Sequence, residues 1–139
     1  MNEAPSSSSS ATWNAGAWFG TTLGSTLWLL IAAGVLTPQS GAIAAKVLAC
    51  FVVPNAYAAF LWRRRAERSF FAAARGFVLL VGLCSFVAVY LVDRAGLWQT
   101  LSIPPSSAPG VATMYSSIAI VVGSLWVMFH VMERARTRM

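Results

Sequence analysis

The sequence predicts an all-α integral membrane protein, a bundle of four transmembrane helices. Hydrophobic residues occupy 58% of its 139 positions and charged residues only 10%, whereas a soluble domain carries roughly 25% charged residues. The mean hydropathy is +0.67. Four apolar segments follow one another, separated by turn residues or charges. The length of each is close to the about 20 residues that a helix needs to cross a bilayer.

The first twelve residues, MNEAPSSSSSAT, are rich in serine and show no apolar periodicity. Such a composition cannot bury a core, so we expect a disordered tail over 1–12. The tail contains Glu3 but no lysine or arginine, whereas a signal peptide begins with basic residues. We therefore expect the first apolar segment to remain in the mature protein.

The first predicted span, 13–36, contains no charged residue. Gly16, Gly20 and Gly24 recur at spacings of four, which places them on one helix face. A face without side chains lets another helix backbone approach closely, and small-residue faces of this kind drive helix association in lipid. We predict a helix-packing face here. Packing inside the chain is favoured over a dedicated oligomer face, because the other spans offer partners.

The second predicted span, 42–62, is interrupted by Pro54 and Asn55. Proline removes the hydrogen bond to the carbonyl of Cys50 and loosens that turn. A carboxamide in hydrocarbon is costly unless it is paired, so we predict that Asn55 faces the bundle interior. Two interpretations stay open: a polar break that binds a ligand, or a structural bond to a freed carbonyl or a neighbouring helix. The second is favoured.

The third and fourth predicted spans cover about 70–92 and 111–132, and a basic tail follows over 133–139. We expect Ser69 to cap the third helix. The prolines at 104, 105 and 109 exclude a regular helix in most of the long connection before the fourth span. In that span Ser116, Ala119 and Gly123 form a second stripe of small residues, predicted to pack against a helix.

An arginine stretch at 63–75 separates the second span from the third and holds half of all lysines and arginines: Arg63, Arg64, Arg65, Arg68 and Arg75. Such a cluster stays in the cytoplasm. With four spans, eight basic residues lie on that side and only Lys46 and Arg94 on the other. We predict two helical hairpins joined by the arginine stretch, with cytoplasmic N- and C-termini, in a bacterial inner membrane. The arginines are expected to contact anionic lipid head groups.

Few residues could carry chemistry. His130 is the single histidine, and its neighbour Glu133 is interpreted as a solvated partner at the membrane interface. Cys50 and Cys84 fall inside apolar segments and are predicted to be buried free thiols. No span core contains Asp or Glu, so a proton-coupled exchanger would lack its coupling carboxylate. We expect no enzyme, no catalytic residue, no metal or cofactor, and no nucleic-acid partner.

The leading prediction is a small non-enzymatic membrane protein, an accessory subunit or self-associating scaffold that works through its small-residue helix faces. Its expected partners are membrane lipids and either further copies of itself or a larger membrane complex. The alternative is a small channel or carrier for a solute or lipid. Polar side chains would then line the route: Asn55, Thr21, Thr22, Ser25, Ser85 and Ser116. An enzyme acting on lipid ranks third, because no acid–base pair is visible.

Overall fold

The structure, a computed structural model of the chain, describes residues 13–101 and 110–137, and the predicted tail at 1–12 and the three loop prolines lie outside them. Helix α1 spans Ala15–Leu36, α2 Gly41–Arg63, α3 Phe70–Arg94 and α4 Val111–Thr137, and a short 3₁₀ turn occupies Trp98–Leu101. In the described part of the chain these four α-helices are each long and apolar enough to cross a membrane. An all-helical protein with four candidate spans is thereby confirmed.

Polar side chains set the starts of the first three helices. The side chains of Asn14, Ser40 and Ser69 accept hydrogen bonds from the backbone N–H groups three residues further on. An N-cap of this kind satisfies a helix donor that has no partner inside the helix. The predicted cap at Ser69 is confirmed.

The end of α3 is set by a glycine. Gly96 adopts a φ of 69°, a left-handed conformation that costs glycine little. The chain reverses there, and the N–H of Leu97 donates to the carbonyl of Val92 at 3.0 Å. Leu97 and Trp98 then pack against the adjoining hydrophobic core.

Each helix packs on its neighbour in sequence: α1 on α2, α2 on α3, and α3 on α4. Two hydrophobic cores lie along the first three helices. One core, beside the arginine stretch, combines Trp18 of α1, Ala58 and Leu61 of α2, and Phe77 of α3. The other lies toward the opposite ends of the helices and contains these buried residues: Leu29, Ala32, Ala33, Leu36, Ala44, Val47, Cys50, Cys84, Ala88 and Val92.

Helix α4 is peripheral, and none of the residues in its apolar span is buried. It approaches α3 closely at Gly82, where a Cβ atom would lie 2.8 Å from Cγ2 and 3.0 Å from Cγ1 of Val122. A methyl group would not fit there without moving one of the two helices. The absence of a side chain at Gly82 therefore permits the close approach of α3 and α4 at this position.

Candidate functional site

A hydrogen-bonded polar group joins α1 to α2 inside the bundle. Asn55 Nδ2 donates to Thr26 Oγ1 and to the carbonyl of Phe51, both at 2.8 Å. Thr26 is fully buried, and its hydroxyl donates to the carbonyl of Thr22 at 2.9 Å. Pro54 is also buried. The amide of Asn55 is therefore engaged in a helix–helix contact, the arrangement that the structural interpretation describes.

The two cysteines lie in the hydrophobic core near this contact. Cys50 and Cys84 are both buried and unpaired with each other, and they belong to one apolar cluster built from α1, α2 and α3. The prediction of buried free thiols is confirmed.

A polar cluster joins α3 to α4 at the end of the bundle beside the arginine stretch. Arg75 Nη2 lies 2.5 Å from Glu133 Oε2, and Arg75 Nη1 lies 2.9 Å from His130 Nδ1. The Ser69 hydroxyl donates to Glu133 Oε1 at 3.3 Å. The expected solvated pair of His130 and Glu133 is therefore wrong, because both side chains bond to Arg75 of a different helix.

Aromatic rings surround this cluster. The Trp126 ring stacks on His130 with a centroid distance of 5.3 Å and an interplanar angle of 11°. Phe71 and Phe129 meet one turn away, at 6.5 Å. One sequence signal pointed to the cluster: Arg75 lies inside the third predicted span, where a charge needs a partner, and Glu133 directly follows the fourth span at the same predicted end of the bundle.

The other arginines of the stretch are exposed. Arg64 pairs with Glu67 at 3.7 Å, and both side chains are more than half exposed. The Arg65 guanidinium lies 4.7 Å from the ring centroid of Trp62, and that of Arg64 lies 5.0 Å from Phe60. Arg63 and Arg68 are exposed as well. These contacts hold cationic groups next to aromatic rings, as at a membrane–water interface.

An aromatic cluster beneath these arginines was not anticipated from the sequence. Trp13 packs edge-on against Trp18 at 4.9 Å, Phe70 at 5.5 Å and Trp62 at 5.9 Å. Trp18 Nε1 donates to the carbonyl of Ala58 at 3.1 Å in a buried position. The cluster therefore connects the first turn of α1 to the end of α2 and the start of α3.

The small-residue faces lie on the outside. Gly16, Gly20 and Gly24 are exposed, and a Cβ atom at Gly20 or Gly24 would meet nothing within 4 Å. Within the described residues, the expectation that this face packs inside the chain is therefore wrong. At about 100° per residue, the glycines lie roughly half a turn from the buried stripe that begins at Trp18 and Thr22. The larger side chains fill the interior in their place.

The stripe of small residues on α4 is exposed, as the glycine face of α1 is. Ser116, Ala119 and Gly123 are all exposed on α4. A Cβ atom at Gly123 would meet nothing within 4 Å, and the Ser116 hydroxyl donates to its own helix, to the carbonyl of Ala112 at 2.9 Å. Among the described residues, then, Val122 of α4 faces Gly82 of α3, and the stripe of small residues lies on an exposed part of α4.

A groove with a volume of about 380 Å³ lies between α1, α3 and α4. Its polar wall groups are Ser25, Ser85, Ser117 and the Trp28 indole, and the Ser25 hydroxyl already donates to the carbonyl of Thr22 at 3.0 Å. Apolar side chains form the rest of the wall: Phe77, Val78, Val81, Met114, Ile118, Val121, Val122 and Leu125. The groove therefore offers a wall suited to hydrocarbon.

The six residues expected along a polar route are not brought together. Ser25 and Ser85 line the groove, whereas Asn55 lies in the α1–α2 contact. Thr22 is buried, and Thr21 and Ser116 are exposed. Among residues 13–101 and 110–137, no three His, Cys, Asp or Glu side chains come close enough to hold a metal ion.

No protein-family model, curated protein or solved structure matches this chain. What the fold defines is a class: a small all-helical protein whose four candidate membrane-spanning helices indicate an integral membrane protein.

Proposed function

We propose that the protein is a small non-enzymatic membrane protein that acts as an accessory subunit or a self-associating scaffold. The observation that supports this function is the outward orientation of both small-residue faces, seen most directly at Gly20, Gly24 and Gly123, where an added Cβ atom would meet nothing within 4 Å. In lipid the hydrophobic effect does not bring helices together, so close backbone approach across such faces supplies the attraction.

The two faces belong to different helices, α1 and α4. A single chain can therefore present one face to a second copy and the other to a further neighbour. The presence of two such faces on one chain favours a scaffold or a subunit within a larger assembly over a protein that works alone.

The same proposal includes the membrane arrangement. The helices form two hairpins, and the arginine stretch and both termini lie in the cytoplasm of a bacterial inner membrane. This arrangement is supported by the bias of eight basic residues against two and by the exposed arginines that lie over Trp62 and Phe60. Arg63 and Arg68 are then available to anionic lipid head groups.

Purification of the full chain from its native membrane into lipid nanodiscs, without detergent exchange, tests the proposed function. Mass analysis of the particles should find either a stoichiometric partner protein or a fixed number of copies. A particle that holds one copy and no second protein contradicts the proposal.

A second candidate function is carriage of a lipid chain, and the groove between α1, α3 and α4 is the observation that favours it. The wall is mainly apolar, which suits an acyl chain better than a polar solute. Native mass spectrometry of the purified protein would show a retained lipid. Ser117→Phe, which narrows the groove, should release it, while Ile120→Phe on the exposed surface should not.

A further inference from the structure

The Arg75 side chain bonds to two acceptors on α4, the Glu133 carboxylate and the His130 ring. Ser69, the N-cap of α3, completes the contact by donating to Glu133. We call these four residues the α3–α4 clasp. Because none of the residues in the apolar span of α4 is buried, the clasp is a prominent attachment of this helix to the remainder of the protein.

The contact between Arg75 and His130 depends on which ring nitrogen of His130 carries a proton. A guanidinium group carries only donors, so in the 2.9 Å contact between Arg75 Nη1 and His130 Nδ1 the ring nitrogen must accept. The contact is therefore a hydrogen bond only when Nδ1 carries no proton. A protonated imidazole has N–H groups on both nitrogens and offers Arg75 no acceptor.

The charges around the clasp determine what a second ring proton would do. Arg75 on α3 and Glu133 on α4 compensate each other, and Arg134 follows Glu133 on α4. The loop before α3 holds exposed Glu67 and Arg68. On α2, the Tyr57 hydroxyl lies beside Gly76, the residue that follows Arg75.

A protonated His130 would therefore place two cations in hydrogen-bond contact with one carboxylate between them. The Trp126 ring, already stacked on His130, offers the charged imidazole an alternative partner on α4 itself through a cation–π contact. The repulsion between the two cations favours separation of His130 from Arg75, and the Trp126 contact stabilises the charged ring once it has separated.

We propose that the α3–α4 clasp is a proton-sensitive switch, which holds the end of α4 firmly on α3 while His130 is neutral and loosens it when His130 is protonated, so that only the contacts of Glu133 with Arg75 and Ser69 remain. Histidine is the side chain that ordinarily changes charge in mildly acidic solution. Loosening would let α4 move away from α3 near Leu125 and Phe77, which line one part of the groove, and would widen the groove there.

Distance measurements between two spin labels in lipid nanodiscs test this switch. The labels are placed on cysteines at Ala66 in the loop and Ala135 near the end of α4, both exposed, with Cys50 and Cys84 replaced by alanine. The distribution is recorded at about pH 8 and about pH 5.5, which bracket ordinary histidine titration while most carboxylates stay ionised. For the otherwise unaltered chain we expect a shift to longer, broader distances at the lower pH.

Variants separate the histidine from other titrating groups. His130→Gln keeps a neutral acceptor and should retain the pH 8 distribution at both pH values, whereas His130→Lys should give the longer distances at both. Glu67→Gln, a matched change outside the clasp, should respond as the parent does. A parent protein that does not respond to pH overturns the proposal, and so does a His130→Gln protein that responds as strongly as the parent. That comparison decides the matter even if the lysine variant fails to fold.

Discussion

The Asn55 carboxamide donates a hydrogen bond of 2.8 Å to the Thr26 hydroxyl and so ties α2 to α1. The contact follows directly after Pro54, which lacks the N–H that would have bonded to the carbonyl of Cys50. A break in one helix is thus accompanied by a polar bond to the next. Asn55 also bonds to the carbonyl of Phe51, so its amide group serves both helices.

The first prediction concerns this bond. Asn55→Leu should lower stability by about 1 kcal/mol, because it leaves Thr26 without its donor, and Asn55→Gln should cost less. In a double-mutant cycle with Thr26→Val, the two losses should not add. Unfolding in detergent gives the four values, and Ser116→Ala, on an exposed hydroxyl bonded to its own helix, is the control. Strict additivity would mean that the bond contributes nothing to stability.

The second prediction concerns the α3–α4 contact. Gly82→Ala should destabilise the protein by about 1–3 kcal/mol, because its Cβ would overlap the methyl groups of Val122. Val122→Ala removes those methyl groups and should restore most of the loss in the double variant. Gly34→Ala serves as the control, since its Cβ would meet nothing within 4 Å. Thermal unfolding should show Gly82→Ala as the least stable variant, the double variant as more stable, and Gly34→Ala as close to the parent. Equal stability of Gly82→Ala and Gly34→Ala would contradict the contact.

The third prediction tests the outward glycine face. Gly20→Ile should leave the folded monomer intact, because its side chain points into open space, and should reduce the size of any assembly that uses this face. The matched control is Leu23→Ile, an exchange of one exposed apolar side chain for another on α1. Mass measurements in mild detergent report the size. An assembly of unchanged size for Gly20→Ile would remove this face from the proposed function.

The fourth prediction concerns topology. Single cysteines at Ala66 or Glu67 should react with a membrane-impermeant reagent only from the cytoplasmic side, because the surrounding arginines are retained there. Cysteines at Gln39 or Ala95, both exposed between helices at the opposite end, should react only from outside. The native cysteines are buried and serve as unreactive internal controls. Reaction of both sets from one side would contradict the proposed arrangement.

Several features of this protein were set by the sequence alone. The number of apolar helices, their approximate bounds and the cap at Ser69 all followed from local length, hydropathy and residue type. These properties are local because a helix in an apolar environment satisfies its own backbone hydrogen bonds, whatever its neighbours are. The placement of Asn55 toward another helix followed from the cost of an unpaired amide.

Only the tertiary structure decided which way each helix faces. In a span that is apolar all round, hydropathy does not distinguish the buried side from the lipid side. The glycine pattern of α1 therefore did not predict that Trp18, Thr22 and Thr26 would be the buried residues. The partner of Arg75 likewise depended on how α4 lies against α3. The close approach at Gly82 belongs to that placement, because the fit of side chains between two helices is a property of the pair and of neither sequence segment alone.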